Sequence, residues 1–464
     1  VKQADTAAAA ELEQALASGD PVFFRNLCAS HHPAGIADGL LELDEPRKIW
    51  DLLQYAPAET RAEIFSHLPE DVQLDIVEEL PRLAIAGLMT EMSPDDRADL
   101  FKRLPETVQE AVLPGMAQAE REDIRRLAAY EEGTVGAVMT SDYATLEPGF
   151  SIKEAIEHLR KAAPDRETIY NAYVLDRDRR LIGCVSLRNL ILAPPGVKVA
   201  DITERDFIYA SVDEDQETAA RRLQKYDMIA MPVVDANEML VGIFTHDDAF
   251  DVLVQEQQED LEKLVAITGS HEAGMYLRKS PWEHFTSRVL WILGLAALGL
   301  VSGQIVHNAQ SLLLAIPMLV IFMPMLAATG GNTGSQSTTL VIRALAVQEI
   351  RPRDIGKVLW KELRVGLMLS AVLGITAFLR VLLQGGGSAS LDPSLLPKVG
   401  AAIALALALQ VVTSTLIGAL LPLVAARLKI DPAVVASPSL TTLVDITGLL
   451  IYFGVAASML GGLL

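Results

Sequence analysis

One carboxylate in this 464-residue chain stands where chemistry is hardest to avoid. Asp445 lies in Ser437-Pro438-Ser439-Leu440-Thr441-Thr442-Leu443-Val444-Asp445-Ile446-Thr447-Gly448, and no other acidic or basic residue occurs between Pro432 and Leu464. About 20 apolar residues suffice to cross a bilayer. A charge at mid-bilayer costs roughly 2.5–3.5 kcal/mol on insertion scales, so such a residue usually faces water or a partner. A carboxylate there suits cation binding; the plainer alternative is a hydrogen bond to a neighbouring helix. A second polar stretch, Thr329-Gly330-Gly331-Asn332-Thr333-Gly334-Ser335-Gln336-Ser337-Thr338-Thr339, is uncharged and glycine-rich in an apolar context. Irregular backbone is not tolerated against lipid, so this stretch is expected to be buried or to line water. Its carbonyls, amides and hydroxyls suit a hydrated hard cation. Small residues also permit close helix packing, but Asn332 and Gln336, one turn apart, exceed what packing needs.

Carboxylates also cluster outside the apolar region. Ser93-Pro94-Asp95-Asp96 reads as a helix start, with Ser as cap, Pro in the first turn and acids at the positive end of the dipole. Asp99 falls one turn after Asp95. A solvated, well-capped helix explains this; a divalent-cation site would need further oxygens from a second domain. Asp247, Asp248, Asp251, Glu256, Glu259 and Asp260 lie on a stretch where Leu253, Val254, Leu261, Leu264 and Val265 keep helical spacing. Like charges three or four residues apart repel by a few tenths of a kcal/mol per pair; solvent or a bridging cation relieves that.

The two halves of the chain must position these groups. Mean hydropathy is +0.29 and net charge −21. Residues 281–464 carry 11 Lys and Arg against 7 Asp and Glu, leaving 28 and 53 for residues 1–280. So acidic a first half excludes binding to nucleic-acid phosphates. Cys28 and Cys184 have neither disulfide nor metal spacing, as expected in a reducing compartment. No apolar signal segment opens the chain, so this half is expected in the cytoplasm. In residues 1–135, Leu-Pro steps at Leu68, Leu80, Leu104 and Leu113 punctuate helical periodicity, predicting stacked short helices. Residues 136–250 contain an internal repeat. Val174-Leu175-Asp176 matches Val233-Val234-Asp235, and Leu181-Ile182-Gly183-Cys184-Val185-Ser186 matches Leu240-Val241-Gly242-Ile243-Phe244-Thr245 at the same offset. Each copy reads strand, Asp-containing turn, strand, helix.

Five spans are predicted, at about 286–306, 311–343, 356–383, 397–426 and 434–463, the second kinked by Pro317 and Pro324. Lys and Arg concentrate between the second and third spans and between the fourth and fifth. The positive-inside rule places those loops in the cytoplasm and the C-terminus outside. No Ser/His or Cys/His pairing, His-x-x-x-His or phosphate loop marks an enzyme, and no catalytic residue is expected.

Residues 136–252 resemble a pair of CBS domains, through Gly183-x-x-Ser186-x-x-Asn189 and Gly242-x-x-Thr245-x-x-Asp248. In that family these positions often hold an adenosine ribose and phosphate, which implies ATP at Ser186, Asn189, Thr245 and Asp248; Asn189, in place of Asp, departs from the pattern, and helix capping would select the same residues. Nearly the whole chain resembles the MgtE family of magnesium channels. The motifs are Gly330-Gly331-Asn332-Thr333-Gly334-x-Gln336, Ile342-Arg343-Ala344-Leu345-Ala346, and Asp431-Pro432-Ala433 through Leu443-x-Asp445-x-Thr447-Gly448-Leu449-Leu450-Ile451-Tyr452. The resemblance implies an all-α helical domain (1–135), α/β tandem CBS domains (136–198 and 199–250), an acidic connecting or plug helix (251–282) and an α-helical five-span pore domain (283–464). It implies a homodimeric Mg²⁺ channel of the plasma (inner) membrane, with the pore on the two-fold axis. Asp445, the Thr441 carbonyl and Asn332 are the implied pore ligands. Asp95, Asp99, Glu217, Asp248, Asp251, Glu256, Glu259 and Asp260, with Glu63 as a weaker match, are the implied ligands of regulatory Mg²⁺. A carrier for other divalents such as Co²⁺ is the alternative; a membrane anchor for a nucleotide sensor would not need Asp445 or Asn332.

Overall fold

The computed structural model describes residues 20–43, 45–162, 167–264, 280–385, 394–433 and 437–461. Val265 and the rest of the connecting stretch to 279, and the loop at 386–393, lie outside the described residues. The chain divides into two compact units, one of residues 1–256 with 271–278 and one of 257–270 with 279–464.

Among the described residues the first unit has nine short helices before residue 130: α1 (Pro21–Ser30), α2 (Pro33–Leu40), α3 (Pro46–Leu53), α4 (Ala58–Ser66), α5 (Glu70–Glu79), α6 (Arg82–Glu91), α7 (Pro94–Arg103), α8 (Glu106–Val112) and α9 (Gln118–Leu127). Proline sets most of the starts. It occupies the first turn of α1, α2, α3 and α7 and the cap position of α4, α5, α6 and α8, where its missing N–H costs nothing. Each helix buries one stripe, and Phe24, Leu53 and Phe65 are fully enclosed. Ser93 differs from expectation. It stands at the cap of α7, but its hydroxyl makes no capping bond and is buried without a partner among the described residues.

After α10 (Val135–Val138) come β1 (Tyr143–Leu146), α11 (Ile152–Ala162), β2 (Thr168–Leu175), β3 (Leu181–Ser186), α12 (Leu187–Leu192), α13 (Val199–Ile202), β4 (Ala210–Ser211), α14 (Gln216–Lys225), β5 (Ala230–Val234), β6 (Leu240–Thr245) and α15 (His246–Leu264). The strands form two three-stranded sheets of identical plan, β1-β2-β3 and β4-β5-β6, each with one parallel and one antiparallel pairing. The repeat extends to the turns. Asp176 Oδ1 accepts from the N–H groups of Asp178 (2.8 Å) and Arg180 (2.9 Å), and Asp235 Oδ1 from those of Asn237 and Met239 (both 2.9 Å). These bonds hold Arg179 and Glu238 at φ of 63° and 62°, a conformation that needs such local support in a residue with a side chain.

The second unit contains α16 (Pro281–Asn308), α17 (Gln310–Ala315), α18 (Met318–Ala346), α19 (Ile355–Gly385), α20 (Leu396–Arg427) and α21 (Ser437–Leu460). Among the described residues, four helical segments are long and apolar enough to cross a membrane: 281–308, 352–383, 396–427 and 440–460. The expected second span is instead two helices broken at Pro317. Its longer part, α18, has 29 residues, with Pro324 inside the helix, but the run 329–339 lowers its hydropathy. That run is continuous helix, not irregular backbone. Its glycines serve close approach: a Cβ on Gly331 would touch Thr441 Cγ2 at 3.4 Å, and one on Gly334 would lie 3.4 Å from Leu440 and from the Ser414 carbonyl. Polar side chains tie the helices together. Thr338 donates to the Gly418 carbonyl (2.7 Å), Tyr452 to the Leu319 carbonyl (2.8 Å), Gln410 to the Val444 carbonyl (3.1 Å) and Ser337 to Glu362 (2.8 Å).

A Cβ on Gly418 would strike the backbone carbonyl of Gly334, which cannot swing aside as a side chain can. Gly418→Ala is expected to destabilise the second unit by about 1–3 kcal/mol, read as a lower melting temperature of the detergent-solubilised chain; an unchanged melting temperature would contradict this packing.

Candidate functional site

α21 carries Asp445 in its central turns, half-buried. Its Oδ1 is enclosed and finds no hydrogen-bond donor among the described residues. Thr441 lies one turn earlier on the same face and packs against the backbone at Gly331, the residue before Asn332. The Thr329 and Thr333 hydroxyls are spent within their own helix, on the Met325 carbonyl (2.6 Å) and the Thr329 carbonyl (2.9 Å). Asn332 and Gln336 are exposed, whereas Gly330, Gly331, Thr333, Gly334, Ser337 and Thr338 are buried. The polar run therefore has two faces: one makes helix contacts, and the other offers amides.

In the first unit, Asp95, Asp96, Asp99, Asp248 and Asp251 line one cavity of about 560 Å³. Asp95 Oδ1 is buried with no hydrogen-bond partner. Burial, then the charges of Asp248, Asp96 and Glu167, hold Asp95 well above the usual carboxylate range. Burial likewise pushes Asp248 up to about 8, against a 2.5 Å hydrogen bond from the Thr245 hydroxyl that favours the charged form. Asp99 and Asp251 are raised, chiefly by burial, although Lys102 stands 3.3 Å from Asp99. Among the described residues, no three His, Cys, Asp or Glu side chains converge closely enough to enclose a bare metal ion. What the acids form is a broad negative wall, which Arg103 also lines beside Glu70, and in which Asp95 Oδ1 finds no partner among the described residues.

The remaining expected acids lie outside that cavity's wall. Glu63 is exposed and acts on Glu167. Glu217 accepts from Arg221 at 2.9 Å, and Glu256 from Gln216 Nε2 at 2.8 Å. Asp260 is half-buried on α15. Glu259 is paired with Lys263 at 2.9 Å, and the same ammonium reaches Asp431 at 3.1 Å. Burial pulls Lys263 down, but Glu259 and Asp431 outweigh it and hold the amine above its usual range. Of the expected nucleotide positions, Ser186 caps α12 by accepting the Asn189 N–H at 3.1 Å, and Thr245 is bonded to Asp248. A ribose on Asp248 would have to displace or share the Thr245 bond.

Several polar groups at these places were not singled out from sequence. Asp142 and Glu167 join Asp96 and Asp247, already named among the sequence's acids, in the negative field, and only the fold brings Asp142 and Glu167 there. Glu362, 9% exposed in α19, and Gln410, fully buried in α20, carried the same signal as Asp445: a polar side chain within an apolar span.

A family model described as divalent cation transporter, MgtE, matches residues 323–455. A second, the MgtE intracellular N domain, matches residues 31–133, and the CBS domain matches 135–196 and 199–255. The chain is 37% identical over 455 residues to the magnesium transporter MgtE of Thermus thermophilus, covering 97% of this chain and 98% of that one. It is 32% identical over 445 residues to the magnesium transporter MgtE of Bacillus subtilis, covering 95% and 94%. A crystal structure of the soluble part of a magnesium transporter is similar to the chain at 30% identity and a TM-score of 0.52, covering 54% of this chain and 99% of that one.

The raised carboxylates set a pH dependence. Asp95 and Asp248 bind protons more tightly folded than unfolded. Their contribution to stability is therefore full below the ordinary value of 3.8 and is lost as pH rises, for Asp248 through about 8. In chelator, the melting temperature of the first unit's transition is expected to fall between pH 5 and pH 8, a span of about three units within that window. Asp95→Asn with Asp248→Asn should flatten the slope. A slope the double variant leaves untouched would show that these acids do not set it.

Proposed function

The chain belongs to the MgtE family of divalent cation transporters, and from that premise we propose that it is a Mg²⁺-selective channel of the plasma membrane, closed by Mg²⁺ on the cytosolic side. The observation that carries the reading is the enclosed, partnerless Oδ1 of Asp445 in an apolar helix. A carboxylate oxygen with no donor among the described residues is available to a cation or to its water shell. Mg²⁺ gives up water reluctantly and is usually held by one or two carboxylates with several waters retained. Asp445, with Thr441 and Asn332 beside it, is suited to that task; a site that strips the ion would hold it too firmly to conduct. In a homodimer with five spans per chain, the first unit inside and the C-terminus outside, a two-fold axis would bring two copies of Asp445 together.

The acidic cavity supplies the gate. Asp95, Asp99, Asp248 and Asp251 repel one another when ionised, and a hydrated divalent ion among them replaces repulsion with attraction. The orphaned Asp95 Oδ1 supports this role. Glu63, Glu217, Glu256, Glu259 and Asp260 belong to the same proposed sensor. Bound Mg²⁺ closes the channel only if it binds the closed arrangement more tightly than the open one.

In liposomes with Mg²⁺ set independently on each side, Asp445→Ala is expected to reduce Mg²⁺ flux by about 100-fold or more, since removing an interaction made only on the permeation path is not compensated elsewhere. Wild-type flux in that variant would overturn the channel reading. Saturable transport without single-channel currents would favour a carrier for divalents such as Co²⁺. Neutralising Asp95, Asp99, Asp248 and Asp251 together should leave currents open at millimolar cytosolic Mg²⁺. Unchanged inhibition in patch recordings would remove the sensor assignment while leaving the pore assignment standing.

A further inference from the structure

We infer that Gln410 is the positioning residue of the permeation site, fixing the rotation and height of Asp445 against Asn332; this rests on the channel reading above. Gln410 is fully buried in α20. Its Nε2 donates to the carbonyl of Val444, the residue before Asp445, at 3.1 Å. Its Oε1 is buried without a donor. A leucine or methionine would fill the same space with no orphaned acceptor, so packing alone does not select an amide here. The amide occupies the space into which a Cβ on Gly330 of α18 or on Gly448 of α21 would project. Three helices therefore interlock on this one group. Gly330 is two residues before Asn332, Val444 one before Asp445, and Gly448 three after it.

The bond acts on the turn that carries the carboxylate. The Val444 carbonyl also accepts from the Thr447 hydroxyl at 3.1 Å, and the Leu443 carbonyl accepts from that hydroxyl at 2.9 Å. Extra donors on helix carbonyls bend and fix a helix locally. Each residue subtends about 100° of helix rotation, so a small turn of α21 moves Asp445 well away from its mark. Gln410 touches no permeating ion; it acts through Val444 and the two glycines.

The test uses the full chain in liposomes, with Mg²⁺ and Co²⁺ as probes, and compares Gln410→Leu, Gly448→Ala and the double variant Gln410→Ala with Gly448→Ala. Gln410→Leu is expected to raise half-saturating Mg²⁺ about tenfold, the size of one lost buried hydrogen bond, and to narrow the preference for Mg²⁺ over Co²⁺. Gly448→Ala alone displaces the amide and should shift both in the same direction while lowering the melting temperature. The double variant removes the clash between the new methyl and the amide, although it exchanges four side-chain atoms for one. If Gln410 were only a packing element, half-saturation would return to the wild-type value once the clash is gone. If it positions Asp445, the half-saturation stays shifted in the folded double variant while the melting temperature rises above that of Gly448→Ala. Wild-type half-saturation and ion preference in the folded double variant, or in Gln410→Leu, overturn the inference. Should Gln410→Leu fail to fold, the double variant decides by the same readings. Asp445→Ala separates the two levels: retained flux there sinks the channel reading, whereas its loss beside unshifted Gln410 variants sinks only the role of Gln410.

Discussion

Helices in hydrocarbon gain little from hiding apolar surface, because lipid is as apolar as the helix it would leave. Close backbone approach and hydrogen bonds between helices must do the joining. α18, α20 and α21 meet through glycines at positions 330, 334, 418 and 448. Once the backbones are that close, short polar side chains reach across: Thr338 to Gly418, Gln410 to Val444, Tyr452 to Leu319. Each of these bonds removes an option, since a donor in this setting that loses its acceptor has no water to turn to. The same constraint makes Asp445 informative. In a bundle where Thr338, Tyr452 and Ser337 are spent on neighbours, a carboxylate oxygen with no donor among the described residues is held back from structure.

The first unit obeys the opposite constraint. Its charge is abundant, and its acids are crowded rather than scarce. Asp95 and Asp248 are raised because burial withdraws the solvent that would spread their charge, and because each stands in the field of Asp96 and Glu167. Such a cluster is stable only with its charge offset, by protons or by cations, and which of these serves depends on the medium. That dependence is what a sensor requires. In the second unit Lys263 shows a third solution: between Glu259 and Asp431 the chain supplies a cation of its own, which a divalent ion at Glu259 would have to displace.

Much of this organisation is legible in residue types. Prolines 69, 81 and 105 mark helix starts because a residue without an N–H has few other places in an α-helix. Asp176 and Asp235 mark equivalent turns because a short carboxylate can cap two N–H groups at once. What is not legible is what depends on juxtaposition. The run 329–339 reads as irregular because its residues favour loops, yet burial against α20 and α21 rewards small side chains enough to override that propensity. Ser93 reads as a cap, but its hydroxyl is turned into the interior. Glu167 is an ordinary surface acid until the fold brings it into the field of Asp95 and Asp248.

The helical state of α18 and α21 narrows what kind of cation site they can build. Unwound backbone offers free carbonyls that can replace an ion's whole hydration shell. Continuous helices offer less, because their carbonyls are committed to the ladder: the proposed Thr441 carbonyl would have to share its helix bond, and side-chain tips supply the rest. In the proposed site, one carboxylate oxygen, with Thr441 a turn below it and the exposed amide of Asn332 on the adjoining helix, would be too small a set to strip a strongly hydrated ion and about the right set to hold its water. Discrimination in such a site comes from how well the hydrated ion fits the spacing of the tips, and spacing depends on the pitch and rotation of the helices that carry them. The groups fixing that rotation therefore bear on selectivity as directly as the carboxylate does, although they lie one layer behind it.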